Sequence, residues 1–233
     1  MFVLFFSSVL WLSTAFAENY IVVLDPGHGG TEAGAIGGTG LRESDFVLDL
    51  ALRTEEKLEG QGITVILTRR SDLNLTLQER AETANTSDAN LFLSIHANAA
   101  PSSSLYGIET YSVDVATDAS AIQVANREND SSNFMVNTFG YGNLLLSIEF
   151  SELVQHNMVT ELRKDYPTEE IVDLGHKTAM FSVLVRTKMP AILFEAGFLS
   201  NPSEERQLRT AHYRDAMAEA LADSILEWLE RGK

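Results

Sequence analysis

Few side chains in this 233-residue chain are equipped for chemistry, and their positions are informative. There is no cysteine, which excludes thiolate metal sites, disulfide scaffolds, redox pairs and cysteine nucleophiles. Two of the five histidines follow short apolar runs: His28 comes after Tyr20–Leu24, and His96 directly after Leu91–Ile95. Two glutamates occupy comparable places. Glu195 directly follows Ala191–Phe194, and Glu43 opens an amphipathic stretch across a glycine-rich loop from His28. Two imidazoles and one carboxylate make the His₂Glu set of a catalytic zinc, which keeps a fourth position for water. A further carboxylate then serves as general base. Spacing alone leaves open which glutamate plays which part. It also leaves each residue an ordinary reading, as a hydrogen-bonded histidine or a first-turn helix acid. His156, His176 and His212 are read as solvated or structural: off an apolar helix stripe, in a loop, and at a helix start.

Other chemistries fit poorly. The G-x-G-x-x-G pattern fails, because Gly27-x-Gly29 meets Glu32 and Gly38-x-Gly40 meets Glu43 at the last position. Neither Gly-Lys-Ser/Thr nor G-x-S-x-G occurs, which removes a P-loop and a nucleophile elbow. The glycines read instead as letting the backbone turn sharply around His28.

The elements that must position these residues alternate along the chain. Short strands are expected at Tyr20–Leu24, Ile63–Leu67, Leu91–Ile95, Gly107–Val113, Met180–Val185 and Ala191–Phe194. Between them, Phe46/Leu50 and Val47/Ala51 repeat at i, i+4 within a helix over Glu43–Leu58. Thr76-Leu77-Gln78-Glu79 is a capping box opening a second helix. Further helices are expected around Ala119–Glu128, over Leu144–Leu162, after Asn201-Pro202, and along the stripe Met217, Leu221, Ile225, Trp228/Leu229. Strand–helix alternation implies an α/β domain with a largely parallel sheet, whose sites collect at the carboxyl ends of strands.

Composition narrows the partners. Seventeen basic against 33 acidic side chains give a net charge of −16, which argues against nucleic acid or any other polyanion held by bulk electrostatics. Phe2–Ala17 is an apolar run ending in the small-x-small pattern Ala15-Phe16-Ala17. It reads as a signal peptide over residues 1–17, with an uncleaved membrane anchor as the alternative, so the chain is expected to be exported. Residues 18–233 are then expected to form one domain.

Four ordered motifs carry a resemblance. Leu24-Asp25-Pro26-Gly27-His28-Gly29-Gly30, Gly40-Leu41-Arg42-Glu43, Ser94-Ile95-His96-Ala97-Asn98 and Phe194-Glu195-Ala196-Gly197-Phe198-Leu199-Ser200-Asn201 are similar to those of zinc-dependent N-acetylmuramoyl-L-alanine amidases. Leu67-Thr68-Arg69 and Glu79-Arg80-Ala81 match as well. The resemblance covers about residues 20–232. It implies a mixed, largely parallel six-stranded twisted sheet flanked by helices, one Zn²⁺ held by His28, Glu43 and His96, and Glu195 as catalytic acid/base. It implies peptidoglycan as substrate, cleaved between the lactyl group of N-acetylmuramic acid and L-alanine. A zinc carboxypeptidase or other peptide hydrolase on the same scaffold, and a silent wall-binding module, are the competing readings.

Two regions depart from simpler relatives. Where many carry Asn-Arg, this chain has Asp173-Leu174-Gly175-His176-Lys177, leaving Lys177 as the nearest basic group for stem-peptide carboxylates. Residues 114–165 read as a helical insert, and Ala125-Asn126-Arg127-Glu128-Asn129 resembles a motif of periplasmic cell-division amidases. That resemblance implies a periplasmic location, a protein activator and an inhibitory glutamate on the zinc, with Glu128 the first candidate and Glu149 and Glu152 behind it.

Overall fold

The computed structural model describes residues 20–129 and 141–232. The expected signal peptide at 1–17 lies outside them. No helix among the described residues is long and apolar enough to cross a membrane. In chain order the elements are β1 (Tyr20–Pro26), α1 (Glu43–Leu58), β2 (Ile63–Leu67), α2 (Leu77–Thr86), β3 (Leu91–Asn98), β4 (Ile108–Ser112), α3 (Ala119–Glu128), α4 (Tyr141–Asp165), β5 (Asp173–Thr178), α5 (Ser182–Val185), β6 (Ala191–Phe198), α6 (Pro202–Leu208) and α7 (Ala211–Arg231).

The six strands form one sheet in the order β2-β1-β3-β6-β4-β5. Every pairing is parallel except β4 against β6. The sheet is therefore mixed and largely parallel, as the resemblance implied. β1 lies between β2 and β3, so the β1–β2 and β2–β3 connections run in opposite directions across the sheet, and the carboxyl ends of β1 and β3 lie side by side.

Strand residues alternate between two helical layers, as a period of two requires. Val22, Leu24, Leu91, Leu93, Ile95, Ile192 and Phe194 join a core with residues of α1, α4 and α7. Val23, Phe92, Tyr111, Ala191 and Leu193 face the other way, into a core with residues of α2, α3 and α5. The same alternation places Asp25, Ser94, His96, Glu109 and Glu195 on the second face.

Local signals hold where they have a physical partner. The Thr76 hydroxyl accepts from Glu79 N, and the Glu79 carboxylate accepts from Thr76 N, completing the capping box. Asn201 caps α6, with Pro202 at its first position. In α7, Met217, Leu221, Ile225 and Leu229 are buried, and Trp228 packs edge-on against Phe150.

One strand was misplaced. Met180–Val185 is not a strand, since Ser182–Val185 forms the short helix α5, and the strand is Asp173–Thr178. A short, fully buried apolar run has no period that separates helix from strand. The true β5 is a half-buried sheet edge with polar residues, so it shows no apolar run. His176 accordingly lies in this strand rather than a loop, with Nε2 2.8 Å from Ser112 Oγ.

The expected insert, 114–165, consists of unlike parts. Phe150, Val154, Met158 and Leu162 of α4 belong to the main core, so this helix is one of the covering layers. α3 instead packs on the second face through Ala121, Val124 and Ala125, and its last residue is Glu128.

Candidate active site

The backbone leaving β1 turns by a conformation that only a well-supported residue tolerates. His28 has φ +54°, in the left-handed region, although it is not glycine. Two glycines leave room for the rings of His28 and His96. A Cβ on Gly27 would lie 2.4 Å from the His96 ring, and one on Gly34 would lie 2.5 Å from a Glu43 oxygen and 2.6 Å from the His28 ring. The glycine loop is thus a space-clearing device around the histidines.

Four side chains from four elements or their ends converge here. His28 Nε2 lies 3.1 Å from Glu43 Oε1 and 3.2 Å from Glu128 Oε2. His96 Nδ1 lies 3.1 Å and 3.2 Å from the same two oxygens. Glu43 is anchored further, its Oε1 accepting from Ala97 N and its Oε2 from Ala35 N. One donor atom from each of His28, Glu43, His96 and Glu128 lies within 4.8 Å of the others.

This cluster fits a divalent cation. Ligand atoms about 2.0–2.1 Å from a tetrahedral zinc stand roughly 3.3 Å apart, close to the four measured separations. His28 Nε2 and Glu128 Oε2 are buried and, although 3.2 Å apart, form no well-directed hydrogen bond, as expected of two atoms that share a further ligand. The donor set, two imidazole nitrogens and two carboxylate oxygens, suits zinc. In the metal-free chain the charges compensate one another. Burial pulls His28 down, but Glu43 and Glu128 carry it up to about 10, while burial raises Glu43 and His28 pulls it down to about 2.

Glu195 sits in register with His96 on β3 and Glu109 on β4. It is fully buried, and neither carboxylate oxygen has a hydrogen-bond partner among the described residues. Burial, with the carboxylates of Glu128, Glu43 and Glu109 nearby, pushes it well above the usual carboxylate range. A buried, unpaired acid in register with His96 is an arrangement suited to moving a proton.

The remaining sequence candidates fall elsewhere. Glu149 and Glu152 do not reach the cluster. They line a separate cavity with Tyr20, Asn90 and Pro190, at the opposite end of the sheet. The direction of α4 carries both away, and sequence spacing cannot show that direction. Lys177 is engaged already, donating to the buried Glu109 at 2.7 Å. His156 and His212 are exposed. A cleft of about 480 Å³ gives access to His28, His96 and Glu128, and Arg127 also lines it.

A network beneath the site escaped the sequence reading. Buried Asp25 accepts from Thr68 Oγ1, Ser94 Oγ and Arg80 Nη1, and these partners hold its carboxyl below the usual range despite burial. An aspartate closing an apolar strand was the available signal, because a buried charge needs partners.

A mixed α/β sheet with a His/Glu cluster and a buried free glutamate at its carboxyl edge defines a candidate metallohydrolase site. A family model described as N-acetylmuramoyl-L-alanine amidase matches residues 22–227, and the chain belongs to that family. It is 33% identical over 218 residues to the amidase AmiA of Escherichia coli, covering 89% of this chain and 75% of AmiA. The amidase structure from Clostridium difficile 630 aligns with a TM-score of 0.73 at 32% identity, covering 91% of this chain and 97% of that one. The CwlD amidase from Clostridioides difficile, solved in complex with the GerS lipoprotein, aligns at 0.69 and 27% identity, covering 91% and 100%. The chain is thus an N-acetylmuramoyl-L-alanine amidase, an enzyme acting on peptidoglycan.

Proposed function

We propose that the chain hydrolyses the amide between the lactyl group of N-acetylmuramic acid and L-alanine as a zinc enzyme, with His28, Glu43 and His96 as protein ligands and Glu195 as acid/base. The observation that carries this reading is the convergence of the three ligand candidates beside a buried glutamate with two unpaired oxygens. Zinc, when bound, supplies Lewis acidity toward the lactyl carbonyl and lowers the pKa of water. Glu195 takes the proton of the attacking water and returns it to the departing amine of L-alanine. Burial and the neighbouring carboxylates raise the proton affinity of the Glu195 carboxylate, which suits a group that takes a proton from water.

The decisive experiment digests purified peptidoglycan with the protein, with and without chelator, and identifies products by mass spectrometry. The expected products are intact stem peptides beginning with L-alanine and glycan strands lacking them, formed only with metal. Cleavage within the stem would favour the carboxypeptidase reading. Absence of any product at full zinc loading, from Glu128→Ala as well as from the wild type, would favour the binding module.

Glu128 is proposed as an inhibitory ligand in the same site. Its Oε2 lies 3.2 Å from both histidine nitrogens, so with a metal bound by the histidines Glu128 would take the place of a reacting water. α3 is held there by Arg127, which donates to Asn98 Oδ1, and by Asn129, which donates to Met180 O and accepts from Ser182 N. The wild type is then expected to be slow alone, and Glu128→Ala to raise basal hydrolysis by at least tenfold without changing zinc content. Equal rates for the two proteins would show that Glu128 is no gate. The CwlD–GerS complex supports a protein partner for such an enzyme, and the apolar leader supports export, with the periplasm as the proposed location.

A further inference from the structure

The loop that presents His28 is clamped by two buried guanidinium groups that take no part in the proposed chemistry. Arg69 donates from Nε to Pro26 O at 2.9 Å and from Nη2 to Gly27 O at 2.7 Å. Arg80 donates from Nη1 to Pro26 O at 2.8 Å and from Nη2 to His28 O at 2.7 Å. Three consecutive carbonyls are thereby held by five-donor forks, across the residue whose φ is positive.

The clamps reach the other ligand-bearing elements too. Arg69 Nη2 also donates to Ser44 O at 2.8 Å, in the first turn of α1 beside Glu43. Arg80 Nη1 also donates to Asp25 Oδ1 at 2.8 Å, and the other Asp25 oxygen accepts from Ser94 Oγ, two residues before His96 on the same strand face. Arg69 and Arg80 are 2% and 3% exposed, and Arg80 also borders the cleft over the cluster.

We propose that Arg69 and Arg80 are positioning residues that lock the backbone of residues 26–28 in its left-handed turn, aim His28 Nε2 at Glu43 and His96, and so set the metal affinity of the site. The inference rests on the reading of that cluster as the metal site. Lysine cannot substitute. Its single ammonium offers no planar fork to span two or three carbonyls at once.

The test measures zinc affinity by competition with a chromophoric chelator on Arg69→Lys and Arg80→Lys in the full chain. Far-UV circular dichroism and metal-free melting are recorded alongside. The expected result is zinc binding weakened about 10–100-fold, the usual effect of losing groups that orient metal ligands, in proteins that remain folded at the assay temperature. Wild-type affinity in folded arginine variants, with only a lowered melting temperature, would overturn the inference and leave the arginines as supports of the fold. Arg69→Lys decides if Arg80→Lys fails to fold, because all four backbone oxygens that Arg69 contacts are neutral, whereas Arg80 pairs with a buried carboxylate. An unfolded Arg69→Lys would likewise count against positioning. His28→Ala serves as the control. If it keeps wild-type zinc affinity, the metal-site reading fails; if it loses zinc while both arginine variants bind normally, only the positioning inference fails.

Discussion

Glu195→Gln is expected to lower amide hydrolysis by about 10²–10⁴-fold while zinc content stays at that of the wild type. Glutamine keeps the shape and volume of the side chain but can neither accept the proton of the attacking water nor return it to the amine. Folding should hardly change. Burial and the neighbouring carboxylates raise the pKa of Glu195, and neither of its oxygens has a hydrogen-bond partner among the described residues, so the substitution removes no favourable ionic contact. Steady-state turnover, metal analysis and thermal melting together check this. Wild-type-like turnover in a zinc-loaded Glu195→Gln protein would remove Glu195 from the mechanism.

The second large effect concerns the imidazoles. His28→Ala and His96→Ala are each expected to lose stoichiometric zinc and all measurable activity together, with the far-UV spectrum little changed. Each substitution removes one nitrogen from a cluster whose four N···O separations are 3.1–3.2 Å, and the remaining donors cannot close around a cation. The fold should survive, because the cluster lies at the sheet edge and neither ring belongs to the two apolar cores. Metal analysis after gel filtration, set beside circular dichroism, reads the outcome. Full zinc occupancy in either variant would sink the ligand assignment.

Much of this architecture was written in local sequence. α1 runs over Glu43–Leu58 and α3 over Ala119–Glu128, as expected, because an amphipathic helix announces itself by its period and its boundaries. His96 and Glu195 were legible because each directly follows an apolar run; that they share one face of the sheet is set by the register of β3 against β6. β5 was not legible. An edge strand needs no apolar run, and Met180–Val185 supplied a misleading one that buries itself as a helix instead.

The sequence by itself determined the alternation of strands and helices, the residue types available for chemistry, and the strand ends that carry them. Only the tertiary structure decided which glutamates join the histidines. Glu43 and Glu128 lie far apart in the chain, and the resemblance put Glu128 first only by a motif match, with Glu149 and Glu152 behind it. α3 lies over the carboxyl edge of the sheet, whereas Glu149 and Glu152 on α4 face the opposite end. The tertiary structure also decided what supports His28, since the Arg69 and Arg80 clamps exist only where the ends of β1, β2 and β3 meet α1 and α2. Periodicity governs which face of an element is buried. It says nothing about which distant element that face will meet, and the meeting sets the charge, the hydrogen bonds and the geometry on which the site depends.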